Sequence, residues 1–541
     1  MKNLKKYSSL GLLVISATTL VACGTKSASG NSESSDVINW YTPTEIITLD
    51  VSKNTDRYSA MAIGNSGSNL LRVGKNGKLQ PDLATKVDIS KDGKTYTATL
   101  RDGLKWSDGS DLTADDFVYT WQRMVDPKTA SEYAYLTTDA HLLNADKIIS
   151  GQETDLSKLG VKAEGNKVIF TLETPAPQFE SLLSFSNFVP QKKSFVEKEG
   201  KNYGTNSEKL LYSGPYKVSN WNGTSGSFKL VKNKYYWDAK NVKTKTVKVQ
   251  AVKKPDTAVQ MYKQGQLDFA NISATSAIYN ANKNNKDNVK IAEARADYLV
   301  YNETGNVKAL SNLKIRQALN LATDREALVK AAKTLVPYGL STLSDGTDLA
   351  EHTAQPYTYD KEKAAKLFKE GLAELGTDKL TLTLLADSDN PAKKAAVDYL
   401  KEAWEKNLPG FTLEEKFVTF KQRLKDTSEQ NFDIAFVSWG GDYPEGSTFY
   451  GLFTSTSDYN YGKINSPEYD AAYQKALTTD ALDKDAAADD YKDAEKALYE
   501  GAHYSPLYNL SNEGLQNPKI KGLVRNSTGL DVDFTHAYKT K

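Results

Sequence analysis

The sequence predicts a protein of the α/β class, and three observations carry that prediction. From about residue 300 onward, apolar runs of strand length alternate with longer segments of helical periodicity, the order that builds a parallel or mixed sheet. The 541 residues are 39% hydrophobic and 25% charged, ordinary globular proportions in a chain long enough for more than one core. There is one cysteine, which excludes both a disulfide framework and a cysteine-built zinc site, so core size alone must stabilise the fold.

The N-terminus reads as an address rather than as structure. Lys2, Lys5 and Lys6 precede a short apolar run over residues 10–22, well below the ~20 apolar residues that a spanning helix needs. The run ends in Leu20-Val21-Ala22-Cys23, and that cysteine is the only one in the chain. This arrangement resembles the lipobox of bacterial lipoproteins. The alternative is a lone cysteine buried in a core helix, and the coincidence of positive region, apolar run and box argues against it. Residues 1–22 are therefore expected to be a lipoprotein signal peptide, with Cys23 the lipidated residue. Residues 23–36, rich in Ser, Gly and Asn, are expected to form a flexible tether.

The elements follow in order. Val37-Ile38-Asn39-Trp40-Tyr41 opens as a strand, and residues 95–100 alternate like one after the glycine turn at Asp92-Gly93. Thr113 caps a helix, with Asp116 three residues on and a stripe of Phe117, Trp121 and Met124. Residues 211–250 read as β, and residues 255–264 as a helix ended by Gly265. Helical patterns then cover 313–333, 361–375, 391–406, 467–477 and 485–499, the fourth opened by the cap pair Ser466-Pro467. Strands are expected at 380–385, 411–417 and 432–439. No internal repeat is present.

The catalytic inventory is thin. His141, His352, His503 and His536 show no metal-ligand spacing. Gly64-Asn65-Ser66-Gly67 lacks the spacing of a nucleophile elbow, and Gly74 to Lys78 lacks that of a phosphate loop. Asp108, Asp111, Asp115 and Asp116 are clustered acids, but two of them sit at a helix start, and capping and solvation account for them better than acid–base chemistry. Lys+Arg 69 against Asp+Glu 68 gives a net charge of +1, which speaks against a bulk nucleic-acid surface. A mean hydropathy of -0.55 speaks against a multi-span membrane protein. Tyr 31 and Trp 7 suit a site lined by amphipathic rings, although any single tyrosine is as well explained by packing. Taken alone, these features describe a secreted, lipid-anchored α/β binding protein or hydrolase.

Several segments add a resemblance. Leu79-Gln80-Pro81-Asp82-Leu83-Ala84 is followed by Asp92-Gly93-Lys94-Thr95-Tyr96-Thr97. Then come Leu100-Arg101-Asp102-Gly103-Leu104-Lys105-Trp106-Ser107-Asp108-Gly109 and Leu112-Thr113-Ala114-Asp115-Asp116-Phe117. Further blocks are Ser213-Gly214-Pro215-Tyr216 with Asn233-Lys234-Tyr235-Tyr236-Trp237, and Ile315-Arg316-Gln317-Ala318-Leu319-Asn320 with Asp324-Arg325. The last comprises Phe432-Asp433-Ile434-Ala435, Trp439-Gly440-Gly441-Asp442-Tyr443-Pro444 and Ser466-Pro467-Glu468-Tyr469-Asp470. In this order they resemble the extracellular solute-binding proteins, family 5, that serve peptide and nickel ABC importers, with oligopeptide- and dipeptide-binding members the nearest in kind.

The resemblance implies a two-lobe clamp of the periplasmic-binding-protein kind, with mixed sheets and an additional inserted α/β domain. The first lobe would join a discontinuous domain, residues 37–58, 201–299 and 508–541, to an insert at residues 59–200. The second lobe would span 300–507, and crossovers near 298–301 and 505–508 would form a hinge that closes on ligand. A receptor for many peptides must read what all peptides share, the extended backbone and the α-ammonium. The resemblance places backbone pairing on Glu45, Ile46 and Ile47 of the first lobe and on Ser438, Trp439 and Gly440 of the second. It places the ammonium's partner at Asp442. Burying an ammonium without a carboxylate would cost several kcal/mol. An isolated Asp before Tyr-Pro also forms turns, and Trp439 also suits a core. Glycines at 440 and 441 suit close backbone approach to a ligand.

One departure matters. Some relatives carry an arginine two residues before the pairing segment, and this chain has Phe436 there. Any anchor for a ligand carboxylate would come from elsewhere, such as Arg423 or Lys425, or be absent. The partners implied are a peptide, the membrane subunits of an ABC permease and, through the lipid, the membrane. A monomer without cofactor, metal, catalysis or nucleic acid is expected. The alternatives are a receptor for one signalling peptide, an extracytoplasmic hydrolase, and an adhesin or assembly lipoprotein that reuses the fold.

Overall fold

The structure, a computed structural model, describes residues 36–540 apart from 75–76, 177, 292, 329–331, 389–390, 458 and 510–511. Cys23, the expected signal peptide and the tether up to Ser35 lie outside the described residues.

The first strand, Val37–Thr42, pairs in parallel with Thr246–Ala251, which continues antiparallel to Ser227–Lys232 and Tyr216–Ser219. Alternate residues of these strands point into one core: Ile38 and Trp40, Leu230, Val247 and Val249. Helix Arg57–Ser66 covers it with Met61, Ala62 and Ile63, and the C-terminal segment returns to it with Leu515, Val532 and Phe534. This first core therefore already includes the helix at 57–66, and Val189 and Val196 also belong to it. The inserted unit has a core of its own running from Leu70 to Phe188. The buried clusters thus divide the chain about ten residues inside the expected limits of 59 and 200, because the buried face of helix Arg57–Ser66 packs on the first sheet.

In the insert, four antiparallel strands lie in the order Ala84–Ile89, Thr95–Leu100, Lys167–Thr171, Val161–Glu164. Helix Ala114–Val125 covers them, and Trp121 at its centre stacks on Phe188 at 4.0 Å. The Asp116 carboxylate accepts the Thr113 N–H at 3.0 Å and the Trp106 indole N–H at 3.1 Å. The expected cap residue is therefore also a buried structural acceptor.

The second lobe is built on one sheet, in the order Phe411–Val418, Leu380–Asp387, Ile434–Gly440, Arg295–Tyr301, Tyr504–Asn509. Ile434 and Phe436 face one cluster while Ala435 and Val437 face the other. A strand covered on both faces has no polar side to show, hence the unbroken apolar run. Helices Leu313–Ala322, Lys361–Leu375 and Pro391–Asn407 pack one face, while Pro467–Leu477 and Lys484–Glu500 pack the other. Helix Lys361–Leu375 starts where the Asp360 side chain accepts the Lys363 N–H, and ends at Gly376 with φ 71°.

One helix is shorter than its pattern. The segment 313–333 stops being α-helical at Ala322. Arg325 is buried and turns its guanidinium onto the carbonyls of Pro506 and Asn320 and the hydroxyl of Ser505, at 2.6, 3.1 and 2.6 Å. Meanwhile the Trp404 indole donates to Thr323 Oγ1 at 3.0 Å. These distant partners outweigh local periodicity.

The chain passes between lobes twice. Asn288–Ile291 pairs antiparallel with Asn512–Gln516 in the first lobe, and Arg295–Tyr301 pairs antiparallel with Tyr504–Asn509 in the second. The two passes are therefore partners on both sides of the crossing. The second pairing shifts register between Asp297 and Tyr298. The second-lobe sheet takes up the chain from Arg295, earlier than the expected residue 300.

Candidate functional site

Strand Ile434–Gly440 is paired along its whole length with Arg295–Tyr301, Gly440 opposite Arg295. On its other edge it meets Leu380–Asp387 only at Ile434 and Ala435. From Phe436 to Gly440 no strand among the described residues is paired with that edge. Ser438 donates its hydroxyl to Asp297. Trp439 is half-buried and edge-on to Tyr459 at 4.7 Å, and its indole N–H has no hydrogen-bond partner among the described residues. A Cβ added at Gly440 would meet nothing within 4 Å. The fold itself does not demand glycine there.

The chain then turns. The Gly441 N–H donates to the Ala294 carbonyl at 2.7 Å, and the Asp442 N–H to Thr448 Oγ1 at 3.1 Å. This fixes the Asp442 side chain between the lobes, where Tyr135 of the inserted domain donates its hydroxyl to Oδ2 at 3.4 Å. The carboxylate forms no ion pair among the described residues. Desolvation therefore dominates and raises its pKa to about 6, the Tyr135 hydrogen bond opposing and the Asp139 charge assisting. Asp442 is half-buried by exposed area, because its oxygens open onto cavities inside the cleft rather than onto bulk water.

Two cavities meet at Asp442. One, of 640 Å³, is lined by Tyr135, Asp139, Trp439, Tyr443, Tyr459, Tyr461 and Tyr473 among others. The other, of 210 Å³, lies between Asn54 to Arg57 of the first lobe and Arg295, Gly440 and Gly441 of the second. The second cavity shares Arg57, Glu293, Ser527 and Asp531 with a third, of 180 Å³, at the carboxyl end of the first strand. The three cavities thus adjoin one another from the second lobe to the first.

The expected first-lobe segment behaves differently. Ile46 is buried in the first core, Ile47 is 73% exposed, and Glu45 pairs with Lys253 at 2.9 Å. The Ile47 N–H is taken by Ser59 Oγ at 2.9 Å, and none of the three residues lines these cavities. Their carbonyls accept no hydrogen bond among the described residues. The structure therefore brings Ser438, Trp439, Gly440 and Asp442 together, but not Glu45, Ile46 and Ile47 with them.

The suggested carboxylate anchors are corrected. Arg423 is buried, its Nε donating to Asp387 Oδ1 at 3.0 Å, and Lys393 contacts the other oxygen of the same carboxylate. These charges hold one another and hold Asp387 below its usual range. Lys425 lies on the exposed face of its helix, 4.0 Å from Glu429. Residues that the sequence did not single out are Tyr135 and Asp139, which reach Asp442 across more than 300 positions of chain.

Residues 78–461 match the family described as bacterial extracellular solute-binding proteins, family 5 Middle. The chain belongs to this family. It is 43% identical over 557 residues to the dipeptide-binding protein of Lactococcus lactis subsp. cremoris, covering 99% of this chain and 100% of that one. Among solved structures, Listeria monocytogenes OppA bound to peptide is 32% identical, with a TM-score of 0.74 over 94% of this chain and 100% of that one. The pheromone receptor PrgZ is 28% identical, with a TM-score of 0.75 over 94% and 100%. The family 5 chain is accordingly a two-lobe clamp of mixed α/β sheets, and the catalytic motifs missing from its sequence are in keeping with relatives that are named for binding. Among the described residues no helix is long and apolar enough to cross a membrane.

Proposed function

We propose that the protein is a lipid-anchored extracytoplasmic receptor that binds peptides in extended form between its lobes and delivers them to an ABC permease. The observation that carries this reading is Asp442. It is a desolvated carboxylate without a cation among the described residues, set at the end of a strand whose edge is left unpaired by them. A peptide N-terminus supplies the missing cation, and the peptide backbone supplies the missing strand partner. Ser438, Trp439 and Gly440 offer main-chain groups, with the Trp439 indole N–H as a further donor. The free carbonyls of Glu45, Ile46 and Ile47 would serve from the first lobe after closure about the paired crossings. The likeness to a dipeptide-binding protein and to a peptide-bound structure supports the ligand class.

Mass spectrometry of ligands released from the purified protein, followed by calorimetry with a random tripeptide pool, tests the reading. Mixed unmodified peptides are the expected result. A single recurring peptide would instead favour a signalling receptor, as the likeness to PrgZ allows, and cleaved products would favour a hydrolase.

The protonation states predict a pH profile for binding. Asp442, with its pKa near 6, must be ionised to pair with the ligand, and the ligand must keep its α-ammonium. Affinity is expected to rise as pH increases through about 6 and to fall above about 8, the range in which a free α-amino group loses its proton. Titration by calorimetry across this range checks it, and a flat profile would remove Asp442 from the site.

For the anchor, Cys23→Ser is expected to release the protein from the membrane fraction or leave the leader uncleaved. One acyl chain holds only marginally, and two or more hold stably. Membrane retention with a processed N-terminus would refute lipidation at Cys23. The receptor is taken to act as a monomer, without cofactor or nucleic acid.

A further inference from the structure

Three arginines line the connected cavities of the cleft, and two of them are engaged with acids. Arg57 contacts Glu293 at 2.9 Å and Asp531 at 2.6 Å, and Arg295 lies 3.6 Å from Asp297. Arg525 differs, because no acidic oxygen lies within 4.0 Å of its guanidinium among the described residues. Its Nε and Nη2 both donate to one neutral acceptor, Gln516 Oε1, at 3.3 and 3.0 Å. Among the described residues its Nη1 has no acceptor. The guanidinium is 4.3 Å from the Phe269 ring centre and 5.2 Å from that of Trp40, and those two rings stack on each other at 4.7 Å.

These contacts define a preformed anion seat. The two rings lie against the half-buried guanidinium and, with Gln516, restrict its movement before any ligand arrives. The 180 Å³ cavity in front of it shares Arg57, Glu293, Ser527 and Asp531 with the cavity that reaches Asp442. It sits outside the carboxyl end of the parallel strands Val37–Thr42 and Thr246–Ala251, the usual place for a ligand crevice in such sheets. Burial lowers the Arg525 pKa to about 10, and the Asp531 charge only partly opposes that. An incoming carboxylate would restore what desolvation removes.

We infer that Arg525 receives a carboxylate of the bound ligand, in the lobe opposite Asp442. This rests on the peptide-receptor reading and deepens it. The cleft would take a ligand that carries a cation at one end and an anion at the other, and it would take that anion in the first lobe, since in the second lobe neither Phe436 nor the buried Arg423 provides a seat. The carboxylate belongs either to the peptide C-terminus or to an acidic side chain, and both offer the same two oxygens to the fork.

The test compares wild type with Arg525→Gln and Arg525→Lys by calorimetry. The ligands are trialanine, trialanine amide and Ala-Glu-Ala amide. Because each protein is judged by its own ratio between acid and amide, a modest effect of substitution on folding cancels. Wild type is expected to prefer an acid over trialanine amide by about tenfold or more, and Arg525→Gln to lose that preference. Arg525→Lys should keep part of it, since charge remains while the fork and the stacking do not. Preference for trialanine identifies the C-terminus, and preference for Ala-Glu-Ala amide identifies a side chain. If wild type shows no preference, or Arg525→Gln keeps it, Arg525 is not the seat. If wild type binds no peptide in the random pool, the receptor reading itself fails, and the two failures are distinct.

Discussion

Asp442→Ala is expected to weaken peptide binding by about thirtyfold or more, because truncating one partner of a desolvated charge pair costs roughly 2–5 kcal/mol and 1.4 kcal/mol is tenfold. Most of that loss is the penalty of stranding the ligand's ammonium. The carboxylate makes no ion pair among the described residues, and its pKa lies above the ordinary range, so folding gains nothing from its charge. Removing it should leave thermal stability unchanged or raise it, as is usual where a site is built at the expense of the fold. N-acetylated peptides should bind wild type poorly, and the variant should discriminate against them less. Calorimetry of both proteins with one peptide, free and acetylated, decides the matter. Wild-type affinity in Asp442→Ala, or indifference of wild type to acetylation, would refute the assignment.

The second large effect is expected on stability. Asp387, Lys393 and Arg423 are all buried, and the one carboxylate contacts both cations. Asp387→Ala removes that carboxylate from between two desolvated positive charges. Breaking a buried ion pair from one side typically costs 3–5 kcal/mol, and in a unit the size of the second lobe this lowers the melting temperature by roughly 10 °C. The same linkage sets a pH dependence. Asp387 is held below its ordinary pKa, so its contribution is present at neutral pH and is lost as pH falls through that depressed value. Arg423→Leu leaves Asp387 with Lys393 and should cost less. Urea denaturation of wild type and both variants measures the losses, and wild-type stability in Asp387→Ala would show that the cluster holds nothing together.

Much of this fold was legible because its signals are local. Asp360 and Gly376 bracket a helix that forms between them, Ser466-Pro467 opens another, and the apolar run at residues 434–437 marks a strand covered on both faces. What was not legible depends on partners far along the chain. Periodicity carried a helix through to residue 333, but Arg325 reaches carbonyls of Asn320 and Pro506, and the helix stops at Ala322. Arg423 reads as an available cation in sequence, yet in three dimensions it is among the largest fully buried side chains. Asp442 was legible only because its neighbours form a family motif. Its environment was not, because Tyr135 and Asp139 come from a short helix of the insert with no distinguishing pattern. Arg525 carried no motif at all, and its interest comes from Phe269, Trp40 and Gln516 meeting around it.

The two passes between the lobes are hydrogen-bonded to each other both before and after they cross. Mechanically they are a leaf spring rather than a pair of strings. Flexing such a ribbon out of its plane leaves the ladder intact, whereas bending it sideways would stretch the bonds along one edge. A change of angle between the lobes would therefore have one compliant direction and one stiff direction. The register shift between Asp297 and Tyr298 lies inside the second-lobe sheet, where the other edge of that strand is held by Ile434–Gly440, so it stays with the lobe. Swinging on such a spring, the open edge of the Ile434–Gly440 strand and the seat of Arg525 would approach along a single repeatable arc. Whatever side chains a ligand carries, its backbone would then be met each time by the same two surfaces in the same alignment.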